Sequence, residues 1–384
     1  MKRAISGRLT AGVIAMAGAL VLAACGSPAQ DSRAVAVGEP ETTATAAELA
    51  GTIWVANEDG GTLSAIDVAT SSVVATVEGV DSPHNVQSSP DGATVWAVSG
   101  HKNAVVAIDA ETLELRGTQA TGPGPAHVVI SEDGSRAYVT NSGDATLSAY
   151  GTADLAPLGT VGLSEGPHGL RGTADGATLV VANTGAGTID VVDTQAMSVR
   201  ASIPVGASPV QVAVEPGGRY AYVSLAGDSA VAKVDLEERA VVATVDVPSA
   251  PVQLYLTADG ETLLSADQGS EAAPGTTVSV IDPTDMSLTA SIMTGSGPHG
   301  VVIDPTGVMA WVTNLYDDTV SVIDLTTNRA VATVPVGDKP NGISFSAVPM
   351  PGSAPSRARV EFPDYAAAAP GSDDAHGDGH DDDH

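Results

Sequence analysis

Cysteine is almost missing from this chain. Cys25 is the only cysteine among the 384 residues, so no disulfide can form within one chain. Its place close to the N-terminus also argues against a structural or catalytic thiol. Any chemistry in the folded part must therefore use other side chains.

Positive charge and aromatic side chains are also scarce. The chain has 16 Lys and Arg against 46 Asp and Glu, which gives a formal net charge of −30. So acidic a surface argues against binding to nucleic acid or to anionic lipid, and it favours solubility and the attraction of cations. Aromatic residues make up only 3% of the chain. Val, Ala, Thr and Gly are common instead, which is typical of closely stacked β-sheets.

The N-terminal residues 1–24 have the pattern of a secretory signal. Lys2, Arg3 and Arg8 precede an apolar run that is too short to be an ordinary membrane span, and no acidic residue interrupts them. We therefore expect residues 1–24 to be a signal peptide.

The apolar run ends in Leu22-Ala23-Ala24-Cys25, which resembles the bacterial lipobox. The resemblance implies that Cys25 is lipidated and carries the membrane anchor of the protein. Residues 25–50 are polar and without period, and we expect a flexible tether there. The expected location is extracytoplasmic, with the protein held by lipid to a bacterial membrane.

An internal repeat runs through residues 52–348. Each unit contains four runs of alternating apolar residues, joined by turns that often carry Asp-Gly. One position lies one or two residues after a Pro in every unit, and its seven occupants are His84, His127, His168, Gln211, Gln253, His299 and Asn341. These positions are 41 to 46 residues apart. Four short strands in about 40–45 residues is the period of a β-propeller blade.

The phase of the repeat predicts how the ring closes. The chain begins with second-, third- and fourth-strand sequences at residues 52–57, 63–68 and 73–77, and its last unit offers only a first strand at 342–348. We therefore predict an all-β fold, a seven-bladed β-propeller with four-stranded blades. Three N-terminal strands and one C-terminal strand would form the closing blade and remove the open sheet edges. Residues 349–384 are predicted to be a disordered acidic tail.

Particular segments of the repeat resemble a known family. Tyr138-Val139-Thr140-Asn141, Trp311-Val312-Thr313-Asn314 and Thr319-Val320-Ser321-Val322-Ile323-Asp324 resemble the YVTN-repeat propellers, also called YncE-like proteins. The resemblance covers residues 52–348, and the absence of a Trp-Asp dipeptide separates the chain from the WD40 class. It implies the fold but no single function, because propellers host enzymes, cofactor domains, metal sites and docking surfaces.

The seven aligned residues are the candidate site. The first strand of each blade lines the channel of a propeller, so these residues should form a ring around the axis. Neutral imidazoles that converge on one point are ligands for Zn²⁺ or Cu²⁺. We take His84, His127, His168 and His299 as candidate metal ligands, and Gln211, Gln253 and Asn341 as polar residues of the channel ring. Alternatively, each histidine only hydrogen-bonds a neighbouring loop or a channel water.

The C-terminal tail holds a second candidate site. His376, His380 and His384 alternate with six aspartates in the last 13 residues. Short His-rich tracts are typical of metal binding, and the affinity of this one should fall below about pH 6 as the imidazoles protonate. The alternative is an acidic tail that only increases solubility.

These features together suggest an extracytoplasmic metal carrier or chaperone for Zn²⁺ or Cu²⁺. Some propellers of the family are zinc chaperones, and this resemblance implies the solute-binding protein of a metal importer as a partner. A docking scaffold of the cell envelope and a lactonase-like hydrolase remain alternatives. We assign no catalytic residue, because the pattern Gly162-Leu163-Ser164-Glu165-Gly166 falls in a loop between blades. We expect a monomer without haem, since the chain lacks a Cys-x-x-Cys-His motif, and without a bound nucleotide.

Overall fold

The computed structural model of the protein describes residues 49–350, 356–363 and 365. The predicted signal peptide, nearly all of the predicted tether with Cys25, and the tail histidines His376, His380 and His384 lie outside the described residues. Within the described ranges, no helix is long and apolar enough to cross a membrane.

Short strands follow one another along the chain. Strands β1 to β7 are Thr52–Asn57, Thr62–Asp67, Ser72–Glu78, Val86–Ser88, Thr94–Ser99, Ala104–Asp109 and Leu115–Ala120. Strands β8 to β15 are Pro125–Ile130, Arg136–Asn141, Thr146–Gly151, Pro157–Gly162, Pro167–Gly172, Thr178–Asn183, Thr188–Asp193 and Ser198–Pro204. Strands β16 to β23 are Pro209–Val214, Tyr220–Leu225, Ala230–Asp235, Ala240–Asp246, Leu254–Leu256, Leu263–Ser270, Ala273–Asp282 and Ser287–Met293. Strands β24 to β29 are Pro298–Ile303, Met309–Asn314, Thr319–Asp324, Arg329–Pro335, Pro340–Ser346 and Ser356–Arg359.

The strands form seven antiparallel blades, as the phase of the repeat predicts. Six blades are built from consecutive strands, and the seventh joins β28 to β1, β2 and β3. In this closing blade Thr52 lies opposite Ser346 and Asn57 lies opposite Pro340. The predicted closure by three N-terminal strands and one C-terminal strand is confirmed.

The core lies between neighbouring blades. One apolar cluster, for example, joins Val180 and Ile189 of one blade to Val212 and Val223 of the next. Val and Ala recur in these layers because their small side chains let successive sheets stack closely. Trp54, Trp96 and Trp311 are the largest fully buried side chains and lie in second strands.

Aspartates at the ends of the third strands have structural roles. Asp109 accepts hydrogen bonds from the backbone N–H groups of Glu111 and Thr112, and Asp193 makes the same contacts two and three residues on. These bonds fix the turn into the fourth strand. Asp67, Asp235, Asp282 and Asp324 accept equivalent bonds in their blades.

The closing blade has a fifth strand that the sequence did not predict. Strand β29 lies in the segment that was predicted to be a disordered tail, and it pairs in parallel with β3. Val360, directly after it, is 3% exposed and donates its backbone N–H to the carbonyl of Glu78. Gly79 has a φ of +89° and no room for a side chain beside Val360. Ala358 and Phe362 pack on the same apolar cluster as Val360. The Pro- and Ala-rich composition of this segment gives no sign of that packing.

We expect Val360→Ala to lower the free energy of unfolding by about 1 to 2 kcal/mol, because it removes two buried methyl groups beside β3. Urea unfolding followed by circular dichroism measures the change. Val348→Ala is the matched control, since Val348 is 45% exposed. An equal loss in both variants would contradict the burial of Val360.

A buried carboxylate replaces an amide in one blade. The second strands of four blades end in Asn57, Asn141, Asn183 and Asn314, whose side-chain amides donate to hydroxyl groups on the third strand. The corresponding residue in the β20–β23 blade is Asp267, which is fully buried and accepts hydrogen bonds from Ser265, Thr277 and Ser279. Burial raises the pKa of Asp267 to about 6, although these hydrogen bonds oppose the shift.

Because this pKa is raised, the folded state binds more protons than the unfolded state between about pH 4 and 6, and stability falls as pH rises through that range. We therefore expect Asp267→Asn to stabilise the protein by on the order of 1 to 3 kcal/mol at pH 7.5. The gain should vanish near pH 4. Urea unfolding at both pH values tests this, with the exposed Asp246→Asn as the control. A gain in unfolding free energy that is the same at both pH values would contradict the raised pKa of Asp267.

Candidate metal centre

The ring of aligned residues surrounds the channel at one end of the inner strands. Five of these strands shift register at or beside their ring residue, for example between Pro167 and Leu170 in β12. A β-bulge of this kind re-aims a side chain, and the proline that precedes it cannot donate a ladder hydrogen bond. The bulges therefore explain why a Pro recurs one or two residues before the side chains that turn toward the axis.

Three histidines from successive blades meet in this ring. The Nε2 atoms of His84 and His168 are 3.1 Å apart, and the ring centroids of His127 and His168 are 4.7 Å apart. One nitrogen from each of His84, His127 and His168 lies within 4.8 Å of the others. These three are the only group of three His, Cys, Asp or Glu side chains with ligand atoms so close in the described part of the chain.

The orientation of His168 is fixed from the next blade. Its Nδ1 is 3.1 Å from the carbonyl oxygen of Val210. A carbonyl can only accept, so Nδ1 carries the proton and Nε2 presents its lone pair toward His84. Gly169 permits this contact, because a side chain there would overlap the Gln211 amide and lie 2.7 Å from the Val210 oxygen. The glycine after the ring histidine thus has a packing role.

A carboxylate lies next to the Nδ1 atom of His84. Glu58 Oε1 is 3.5 Å from His84 Nδ1, and Asn341 donates a hydrogen bond of 2.7 Å to the other oxygen of Glu58. The amide nitrogen of Asn341 is also 3.0 Å from His84 Nδ1. With its proton on Nε2, His84 accepts from Asn341 at Nδ1 and donates to Nε2 of His168. With its proton on Nδ1, His84 faces Glu58 and leaves Nε2 as a lone pair. This is the arrangement in which a carboxylate orients a metal-binding imidazole.

Two imidazole nitrogens in the ring are buried without a hydrogen-bond partner among the described residues. They are Nε2 of His127 and Nδ1 of His299. Gln211 approaches His127 on its other nitrogen at 3.5 Å and also donates to Gln253. Unsatisfied buried polar atoms are rare in proteins, and each calls for a ligand or a water.

His299 lies outside the cluster that the other three histidines form. Its ring centroid is 6.2 Å from that of His84, and it is not among the three residues whose ligand atoms converge. The structure therefore brings all seven aligned residues to one end of the channel, but it brings only His84, His127 and His168 within reach of a single ion.

Burial keeps most of these imidazoles neutral. Burial and repulsion from His84 lower the pKa of His168 to about 3. Burial and repulsion from His84 and His168 lower the pKa of His299 to about 3 as well. Burial also lowers the pKa of His127 well below its usual value. For Glu58, burial alone would raise the pKa, but the hydrogen bond and charge interaction with His84 lower it to about 2. At neutral pH the site offers imidazole lone pairs beside one negative charge.

Glu58 and Arg171 are two charged residues that the sequence interpretation missed. Aligned repeats contain a signal for each. Glu58 is the only carboxylate among the seven aligned residues, which are Glu58, Gly100, Ser142, Thr184, Ala226, Gln268 and Leu315. Arg171 is the only charged residue among the seven that lie three positions after the ring residues.

Comparisons with known proteins agree with the fold. The model of the YncE-like β-propeller family matches residues 21–273. No curated protein matches the chain. A functionally unknown protein from Desulfotomaculum acetoxidans DSM 771 is similar in structure, with a TM-score of 0.67, 14% identity, and coverage of 79% of this chain and 100% of that one.

Two similar solved structures are named enzymes. Kuenenia stuttgartiensis hydrazine synthase gives a TM-score of 0.62 at 22% identity, over 68% of this chain and 89% of that one. The dihydro-heme d1 dehydrogenase NirN, solved in complex with DHE, gives 0.59 at 15% identity, over 79% of this chain and 77% of that one. At these identities the likeness establishes the propeller fold alone.

We expect Glu58→Gln to weaken Zn²⁺ binding by roughly 10- to 100-fold, the usual cost of losing a carboxylate that orients a ligating histidine. Competition with a fluorescent zinc chelator measures the affinity. Asp59→Asn is the matched control, because Asp59 is adjacent and pairs with Lys339 at the surface. An equal effect of both substitutions would show that only the overall charge matters.

Proposed function

Because this chain belongs to the YncE-like β-propeller family, whose fold alone assigns no activity, we propose its function from the channel site: it is a carrier of a divalent transition metal, Zn²⁺ or Cu²⁺. His84, His127 and His168 bind the ion, and Glu58 and Val210 orient two of the three imidazoles. Cys25 anchors the carrier to the outside of the bacterial membrane.

The convergence of three imidazoles supports this proposal most directly. Zinc–nitrogen bonds of 2.0–2.1 Å in a tetrahedral site place two ligand atoms roughly 3.3 Å apart. The Nε2 atoms of His84 and His168 are 3.1 Å apart, and His127 Nε2 is buried without a partner among the described residues. A structural network would be expected to satisfy that nitrogen.

The donor set also favours these metals over others. Neutral imidazoles without thiolates suit Zn²⁺ and Cu²⁺, whereas Mg²⁺ and Ca²⁺ prefer oxygen ligands. His84 and Glu58 keep 22% and 27% of their side-chain surfaces exposed, so an ion can enter from that face of the ring. The net charge of −30 would attract cations to the protein.

The tail extends the proposal from binding to delivery. We infer that His376, His380 and His384 capture ions weakly and pass them to the channel site. The solute-binding protein of a metal importer is the proposed recipient, on the resemblance to zinc-chaperone propellers. A site that holds cargo needs a route for release, and the partly exposed His84 and Glu58 provide one in this proposal.

Calorimetric titration with Zn²⁺ and with Cu²⁺ tests the carrier proposal. Four soluble proteins are compared: residues 26–384, the same chain ended at Tyr365 so that β29 is kept, and the variants His127→Ala and His168→Ala. We expect one tight site in the first two proteins, and weaker additional sites only where the tail is present. Each alanine variant should weaken the tight site by at least about 100-fold, since it removes one of three ligands.

The exposed His101→Ala is the matched control and should leave the tight site unchanged. Melting temperatures of all variants show that they are folded. If every protein binds no more tightly than millimolar, the metal proposal fails and an envelope docking scaffold becomes the better account. If the alanine variants bind as tightly as the parent, the ring histidines are not the ligands.

A further inference from the structure

A second site lies on the propeller axis, in a cavity of about 210 Å³ beyond the histidine ring. Residues from six of the seven inner strands line it, which places it on the axis. Arg171 is in this wall, three residues after His168 on the same strand β12. The metal proposal uses none of the residues that line the cavity.

Arg171 carries a positive charge that forms no close ion pair in the described part of the chain, and Glu132 in the same cavity wall acts on it only at longer range. No carboxylate there lies within 4.0 Å of its guanidinium group, whereas Arg116, Arg200 and Arg219 all form such pairs. The guanidinium group of Arg171 instead makes a cation–π contact with Tyr255, whose ring centroid is 5.7 Å away. Burial lowers the pKa of Arg171, yet an arginine stays protonated at neutral pH. An unpaired, partly desolvated charge is costly unless an anion compensates it.

A free hydrogen-bond donor lines the same cavity. The hydroxyl oxygen of Ser344 accepts hydrogen bonds from the backbone N–H of Ser88 and the side-chain amide of Gln87. Both lone pairs of that oxygen are then used, so its proton remains to be donated. Among the described residues no acceptor takes it. A guanidinium and a hydroxyl donor in one small cavity match the oxygens of an oxyanion.

The remaining wall decides which oxyanion fits. Val302, Ile343 and Phe345 supply apolar surface, and Arg171 is the only Lys or Arg in the lining. Glu132 also lines the cavity and would repel a doubly charged ligand about twice as strongly as a singly charged one. The volume is below the roughly 300–1,000 Å³ of pockets for drug-sized ligands. A single negative charge on a small, partly apolar body is the best complement.

We propose that this axial cavity binds a small organic monocarboxylate. The guanidinium of Arg171 receives the carboxylate, the hydroxyl of Ser344 donates to it, and the apolar side chains contact the rest of the ligand. The site is separate from the histidine cluster and does not require a metal ion.

Calorimetry with three probes tests the proposal on the full soluble chain after treatment with EDTA. Benzoate supplies the monoanion with an apolar body, benzamide is its neutral analogue, and inorganic phosphate is the dianion. We expect benzoate to bind one to one, and the other two to bind at least about tenfold more weakly. Arg171→Gln should weaken benzoate binding by roughly 10- to 100-fold, which is the usual range for a charge-assisted hydrogen bond.

Arg200→Gln is the matched control, because Arg200 pairs with Asp193 on the outside and should not affect benzoate. Melting curves report folding, and Arg171→Gln should be at least as stable as the parent since it removes an uncompensated charge. As a second measurement on the parent protein, benzoate should shift the guanidinium ¹⁵N resonance of Arg171. Benzoate binding that Arg171→Gln leaves unchanged, equal binding of benzamide, or no binding tighter than about 10 mM would overturn the proposal.

Discussion

The pairing of β28 with β1 is the contact on which the rest of the structure depends. It joins residues from the two ends of the propeller, Thr52 opposite Ser346, and so converts a row of sheets into a closed ring. Thr52 strengthens the joint, because its hydroxyl donates to the carbonyl of Val348 and accepts from the backbone N–H of Met350. Closure satisfies the sheet edges and sets all seven inner strands around one axis.

The chemistry of the channel follows from that closure. Seven strands that start at the same level bring polar side chains together where little water can reach them. Burial holds His127, His168 and His299 in the neutral state, and the same burial leaves nitrogen atoms without partners. Buried imidazole nitrogens without a partner destabilise an empty channel. A bound cation removes this cost, because it contacts the nitrogen lone pairs that water cannot reach. The carrier proposal explains the neutral imidazoles and the unpartnered nitrogen of His127 with one ligand.

The repeat made the fold and the ring positions predictable, because a blade of four strands has a fixed period and its first strand must line the axis. The chemistry of the ring was less predictable. Which histidines converge depends on side-chain directions at β-bulges, and Glu58 enters from the turn after a second strand in another part of the repeat. Strand β29 was missed because the segment around it is rich in Pro and Ala and its paired residues in β3 lie 281 positions earlier. Contacts between such distant segments leave no local pattern.

Anomalous scattering at the zinc absorption edge is the most direct test of the account. Crystals of residues 26–365, grown with one equivalent of Zn²⁺, should give one strong peak in the channel. If the channel binds the ion as proposed, this peak lies about 2.0–2.1 Å from one ring nitrogen each of His84, His127 and His168. A channel without a peak, or a peak held only by surface carboxylates, would contradict it.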